Sequence, residues 1–320
     1  MEIDAVITWV NGNDIKWQKK INFYLESKID FSLKKKSLRY NSIGELDIAI
    51  KSIIKYAGFV RNIFLVTDDQ IPKSFKSLKE LARLNNINLE IIDHKVIFKG
   101  YENNLPCFNS CSIGTMLFRI PKLAEHFIVF NDDTFLMRET NPNDFFVDNC
   151  PIIRGSWREF DENRTLRELF HRLLSWLGKS KQKNQVGFKT FQQNSAKLVK
   201  TKKYLRRFHT PVSIRKSTLE NFFKDNNLLE KNTIYRFRDE KQFIISSLSE
   251  HLEIINNSYH YKNNTQLTYF RSYKSHKIVK IKLYFFEINR KKLFMTFQSL
   301  EIAKTKIIQD IFNWVSKRIS

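Results

Sequence analysis

The chain has 320 residues, with 55 Lys and Arg against 33 Asp and Glu, for a formal net charge of +22. That length suits one large domain or a domain with an elaboration, and with no run of about 18 apolar residues it excludes a transmembrane helix. Three cysteines, Cys107, Cys111 and Cys150, cannot all pair within the chain and lack four-ligand zinc spacing.

The charge favours anionic partners such as acidic lipid or phosphorylated substrate, but no nucleic-acid module accompanies it and nucleic acid is not expected as a partner. Met1-Glu2-Ile3-Asp4-Ala5 lacks the basic-then-apolar order of a secretory signal, so a cytoplasmic location is expected.

Ile3 to Val10 reads as a first strand, followed by Asn11-Gly12-Asn13-Asp14 and a helix from Ile15 to Glu26. The turn stands where a nucleotide commonly sits, and Asp14 is equally suited to cap the helix. After the basic Lys34-Lys35-Lys36 segment, Leu46, Ile50, Ile53, Ile54 and Ala57 recur at helical spacing up to Gly58. Ile63–Thr67 and Leu89–Asp93 read as further strands, with a helix over Leu78–Leu84 between them. A helix from Ile113 to Ala124, stopped by Pro121, leads to Phe127-Ile128-Val129-Phe130-Asn131-Asp132-Asp133. Four apolar residues that end in an amide and two carboxylates describe a strand buried on both faces, opening onto the edge where α/β sheets bind ligands. Adjacent carboxylates there call for a cation; a plain polar turn is the bland alternative.

The second half mixes aromatic and basic residues. Trp157 to Gly178 has helical spacing, Lys179 to Lys183 is a polar break, and Ala196 to Arg207 is a basic helix or arm. His209-Thr210-Pro211 interrupts, Ile214 to Lys224 is helical again, and Arg236 to Glu240 precedes an apolar helix over Phe243–Leu252. Ile278 to Phe286 reads as strand-like. A final helix places Ile308, Ile311, Phe312, Val315 and Ile319 on one face; packing is its commoner fate, and an acidic membrane surface is the other.

Four blocks in order resemble the Stealth family of capsular-polysaccharide phosphotransferases: Ile3 to Asp14; Leu38 to Pro72; Leu105 to Ser110 continuing to Asp133; and His209 to Arg238. The resemblance implies an α/β, Rossmann-like (GT-A-like), mostly parallel sheet flanked by helices, with a largely helical, basic C-terminal half packed on it. It divides the chain into a nucleotide-sugar core (1–150), a helical part completing the site (151–255) and a basic C-terminal region (256–320), which is associated with membrane or a partner on one reading. The activity implied is transfer of hexose 1-phosphate from a nucleotide sugar, UDP-linked for a uridine donor, to a hydroxyl of a polysaccharide or lipid-linked glycan, at the inner face of the cytoplasmic membrane if the enzyme is peripheral.

By the same resemblance Asp132 and Asp133 hold Mg²⁺ or Mn²⁺, with Asp133, His209 and Arg238 catalytic. Asp14, Asn11, Glu45, Asn109 and Arg119 are the substrate-binding candidates. Two positions depart from the family pattern: Gly114 replaces a Glu that follows the Asn-Ser pair, and Gly44 replaces an acidic residue before Glu45. A metal-dependent glycosyltransferase that moves the sugar alone, or a non-catalytic polyanion-binding protein, is the alternative.

Overall fold

β1 (Ile3–Thr8) is the centre of a five-stranded sheet. On one side lie β2 (Val60–Thr67) and then β3 (Asn88–Asp93); on the other lie β4 (His126–Asn131) and then the strand Val212–Arg215. The first four run parallel, and Val212–Arg215 closes the β4 edge antiparallel. Thr8 pairs with Asn131 and with Val66, so the carboxyl ends of β4, β1 and β2 form one edge. The computed structural model describes residues 1–33, 43–163 and 187–319. The Lys34–Lys36 segment, Leu38 to Ser42, the 179–183 break and most of the helix expected over 157–178 lie outside those residues.

Alternation along the strands explains the two-sided burial. Ala5, Ile7, Ile128 and Phe130 face a core that includes Leu46, Ile50 and Ile53 of the helix Glu45–Tyr56 and Leu78 and Ala82 of the helix Phe75–Leu84. Val6, Phe64, Val66 and Phe127 face the opposite core, with Leu219 and Phe223 of the helix Lys216–Lys224 and Leu248 and Leu252 of the helix Ile245–Ile255. Each fully buried Ile, Leu or Phe contributes about 1.5–3 kcal/mol.

Three expectations need correction. Ile113 to Ala124 is not one helix: a short helix, Ser110–Thr115, is followed by a 3₁₀ turn, Leu117–Arg119. The basic stretch 196–207 divides into the helix Phe188–Leu198 and the strand Tyr204–Arg206, which pairs with Ser156–Arg158. Ile278 to Phe286 is helical, within His276–Ile288, capped by Ser275 at its start. At its far end Arg138 donates to the Glu287 carbonyl, the favourable site for a cation on a helix.

After the acidic turn the chain forms β5 (Thr134–Leu136), which pairs antiparallel with Phe294–Phe297, itself parallel to Leu267–Phe270. A third core joins this small sheet to Ile48 and Ala49 of the Glu45–Tyr56 helix. The final helix, Thr305–Ile319, buries Ile307, Ile311 and Val315 in it, which is the packed fate expected. No helix among the described residues is long and apolar enough to cross a membrane.

Candidate functional site

Asn131, Asp132 and Asp133 occupy the turn between β4 and β5, with Asn131 exposed and both aspartates half-buried. The turn is tied to the C-terminal region: Phe297 N donates to the Asp133 carbonyl at 3.2 Å. Thr134 Oγ1 lies 3.4 Å from Asp133 Oδ1 and 3.2 Å from Thr296 Oγ1. Thr296 Oγ1 in turn donates to the His209 carbonyl at 2.8 Å.

His209 therefore sits at the acidic turn. Its Nδ1 is 3.4 Å from Asn131 Nδ2, and its ring is stacked between Phe188 and Tyr269, with centroids 5.5 Å away on each side. Buried Arg207 spans the His209 turn, donating from Nη2 to the Thr210 carbonyl at 3.0 Å while Nε reaches Glu250 at 3.3 Å. Burial, then the Arg207 charge, lowers the His209 pKa to about 4, so the imidazole is neutral at neutral pH.

The carboxylates feel one another. Burial, then Asp133 and Glu45, and more weakly Glu301, push Asp132 up to about 8. Burial and Glu45 push Asp133 up to about 6. Glu45 opens its helix, buried, and Oε2 accepts the Ile43 N–H at 2.7 Å. Burial and then these acids also raise the phenol of Tyr273, and burial and Asp133 that of Tyr269. Carboxylates that burial and their neighbours make harder to ionise are the signature of a place for positive charge. Among the described residues no three His, Cys, Asp or Glu side chains form a metal cage. Mg²⁺ does not need one, since it takes one or two carboxylates and completes its shell with water and substrate phosphate. The residues present fit such a cation.

The structure thus brings Asp132, Asp133 and Glu45 into one field, and His209 meets their turn at Asn131. The other candidates are engaged elsewhere on the fold. Asp14 caps the first helix, Ile15–Tyr24, through Oδ1 to Lys16 N and Trp17 N, and its Oδ2 accepts from Gln70, which holds its pKa down despite partial burial. Gln70 also pairs with both backbone groups of Asn11, and Asn11 Oδ1 accepts from Asn13 N. Asn109 is fully buried: its amide meets the carbonyls of Tyr235 and Phe237 and Oε1 of Gln242, within 3.0 Å in each case. It anchors the loop that carries Arg238 and has no exposed surface for a substrate. Arg238 itself is exposed and donates to Ser110 Oγ at 2.7 Å. Arg119 donates to the carbonyls of Ile97 and Lys99 and covers the Tyr101 ring, a structural set of contacts.

Tyr269, Tyr273, Thr296 and Glu301 complete the surroundings and were not singled out from the sequence. They lie beyond the four blocks; the available signal was Glu301, one of three acidic residues after position 255. Of the two departures, Gly44 has φ +105, a conformation that L side chains rarely adopt, so the residue before Glu45 is set by backbone geometry here. A Cβ on Gly114 would make ordinary contact with Ile245 at 3.7 Å.

Two family models match the chain: Stealth protein CR1, conserved region 1, over residues 1–29, and Stealth protein CR2, conserved region 2, over residues 39–152. Over these two regions the chain is similar to Stealth proteins. CR2 holds the acidic turn and Glu45, while His209 and Arg238 fall beyond both regions. The exopolysaccharide phosphotransferase cps2G of Lactiplantibacillus plantarum is 37% identical over 148 residues, 46% of this chain and 40% of that protein. The capsular polysaccharide phosphotransferase fcs1 of Haemophilus influenzae is 38% identical over 148 residues, 46% of this chain and 38% of that protein. The matched segment thus spans less than half the length of these relatives. Among solved structures, the bifunctional glycosyltransferase WbbM is similar at a TM-score of 0.47 and 11% identity, over 93% of this chain and 46% of that one. The galactosyltransferase LgtC with donor and acceptor sugar analogues gives 0.44 at 10% identity, over 99% of this chain and 96% of that one. At such scores the likeness decides nothing about the reaction.

Proposed function

We propose that this protein, similar to Stealth proteins over its first half, transfers hexose 1-phosphate from a nucleotide sugar to a glycan hydroxyl, forming the phosphodiester of a capsular or surface polysaccharide. The single observation that carries the reading is the meeting of His209 with the Asn131-Asp132-Asp133 turn at the carboxyl edge of the sheet. In this reading Asp132 and Asp133 hold the divalent cation, Mg²⁺ or Mn²⁺, whose chemistry is to neutralise the diphosphate oxygens. Glu45 and Glu301 keep the aspartates crowded and so keep the pocket selective for positive charge.

The acceptor oxygen attacks the phosphorus that bears the donor sugar, and the bond from that phosphorus to the nucleoside monophosphate breaks. For a uridine donor, UMP leaves. The Asn131 amide nitrogen faces Nδ1 and can only donate to it, so the neutral ring carries its proton on Nε2; in this reading His209 Nε2–H orients the acceptor oxygen and the hydroxyl proton passes to the Asp133 carboxylate. Arg238, on the loop anchored by Asn109, is assigned to the donor phosphates, and Asn11 and Asp14 shape the turn beside the nucleotide. The donor is taken to be UDP-linked and the acceptor a polysaccharide or lipid-linked glycan.

Incubation with a panel of nucleotide sugars and capsule oligosaccharide primers, followed by ³¹P NMR, tests the reading. A new diester signal with release of nucleoside monophosphate is expected; release of UDP instead would assign plain sugar transfer. His209→Ala should lower turnover about 100-fold or more with the fold intact. Unchanged turnover in His209→Ala and in Asp133→Ala would remove both assignments.

A further inference from the structure

The helix His276–Ile288 has two apolar faces, and the protein covers one of them. Val279, Leu283 and Phe286 are buried in the third core. On the opposite side Ile278 is 54% exposed, Ile281 51%, Tyr284 62%, Phe285 58% and Ile288 56%. At 100° per residue these five fall within one arc about 120° wide, and from Ile278 to Ile288 the row runs about 15 Å. Isolated exposed apolar residues are ordinary, but five large ones in a continuous row mark an interaction surface.

The charges around the row say what it meets. Lys274, Lys277, Lys280, Arg290 and Lys291 are exposed beside it. The one acidic side chain from 271 to 292, Glu287, is paired with Arg318. A second copy of the chain would set lysines against lysines, so self-association is disfavoured. An apolar row rimmed by lysines matches a lipid surface that carries negative headgroups. Three residues past Ile288, Lys291 also lines an open cavity of about 490 Å³ together with Lys262, Gln266 and Asn264, so two lysines stand at one recess beyond the row.

We infer that the helix His276–Ile288, and not the final helix, seats the protein on an anionic membrane surface by inserting the Ile278–Ile288 row among the headgroups. The same helix touches the candidate site. Lys282 Nζ donates to the Tyr269 carbonyl at 3.1 Å, and the Tyr269 ring stacks on His209. Seating on the membrane therefore holds the acidic turn close to the bilayer, where a lipid-linked acceptor is presented.

The test uses the full chain, sedimented with vesicles of phosphatidylcholine alone and of phosphatidylcholine mixed with phosphatidylglycerol. Binding to the anionic vesicles alone is expected, weakening as salt rises. Each lysine near such a surface is worth about fivefold in affinity, so Lys277→Gln with Lys280→Gln should weaken binding about 25-fold. Phe285→Asp, at an exposed position, should abolish sedimentation while leaving the thermal midpoint unchanged, and Ile281→Asp provides an independent second variant. Equal binding to neutral vesicles, or no binding to either, would overturn the inference. So would a concentration-dependent dimer in ultracentrifugation that Phe285→Asp dissolves, or capture of an acidic protein by the same row without vesicle binding. Sedimentation requires no turnover, so its failure would leave the transfer reaction standing.

Discussion

At Asp132 and Asp133 a carboxyl group is asked to ionise beside other carboxyls, and the consequence is measurable without substrate. Both pKa values are raised in the fold, to about 8 and about 6, so between the ordinary carboxylate range and pH 8 the folded chain binds more protons than the unfolded one. Stability must then fall as pH rises through that window. On the proposed reading Mg²⁺ or Mn²⁺ would reverse the loss by replacing the protons, so the cation should raise the thermal midpoint more at pH 8 than at pH 5, with proton release on binding. Thermal melts with and without the cation check this. Asp132→Asn should raise the metal-free midpoint at pH 8 and remove most of the cation's effect. A pH-independent cation effect would place the ion elsewhere. The two glycines at the departures from the family pattern separate in the same kind of measurement. Gly44→Ala forces a side chain onto φ +105 and should cost about 1 kcal/mol, whereas Gly114→Ala, inside a short helix with room for its Cβ, should gain about 0.5–1 kcal/mol in urea denaturation.

Among the elements, the loop that presents Arg238 depends on a residue that the sequence assigned to substrate. Asn109 Nδ2 serves three oxygens of the 235–242 segment and Oδ1 accepts the Cys111 N–H, the bonds to Gln242 and Cys111 being buried and those to Tyr235 and Phe237 partly so. Truncation takes the donor from the Phe237 carbonyl, while Tyr235 O keeps Ser112 Oγ and Gln242 Oε1 keeps the Asp239 N–H, and the Cys111 N–H loses its acceptor, at roughly 1–3 kcal/mol for a group that water cannot reach. Asn109→Ala should therefore destabilise the chain by about 3 kcal/mol and speed amide exchange across residues 235–242 before it alters the acidic turn. Exchange confined to the turn would reverse the assignment. Most of the first 150 residues were legible, since Leu46, Ile50, Ile53 and Ile54 share one helix face and β4 has an unbroken apolar run, whereas Ile113 to Ala124 divides into a short helix and a 3₁₀ turn. Ile278 to Phe286 was misread for a physical reason. Buried Val279, Leu283 and Phe286 interleave with exposed Ile278, Ile281 and Phe285, so two helix faces together imitate a strand. Asp14 and Asn109 were legible as residues that matter, but a carboxylate or amide beside a helix start looks the same in sequence whether it binds a ligand or a backbone.

Across the whole molecule, the third core and the small sheet make the C-terminal region part of the site's wall. This is what sequence could not show, because pairing of Phe294–Phe297 with β5 joins residues about 160 positions apart through plain apolar side chains. Thr296 holds the His209 turn, Tyr269 stacks on its ring, and Glu301 adds to the field on Asp132. If residues after 255 were a membrane attachment alone, removing them would leave turnover on a soluble primer intact. The wall predicts the opposite: a chain ending at Asn257 should lose turnover, and it should also expose Phe135 and Ile48 and aggregate. Aggregation alone would leave the two readings mixed, so single changes carry the decision. Thr296→Val keeps the buried volume and removes the hydroxyl that reaches His209, and Tyr269→Leu removes the stacking face. Each should lower kcat on a soluble primer roughly tenfold, as a misplaced catalytic group does, and leave vesicle binding unchanged. Full turnover in both variants with a shifted vesicle affinity would return the region to the role of an anchor.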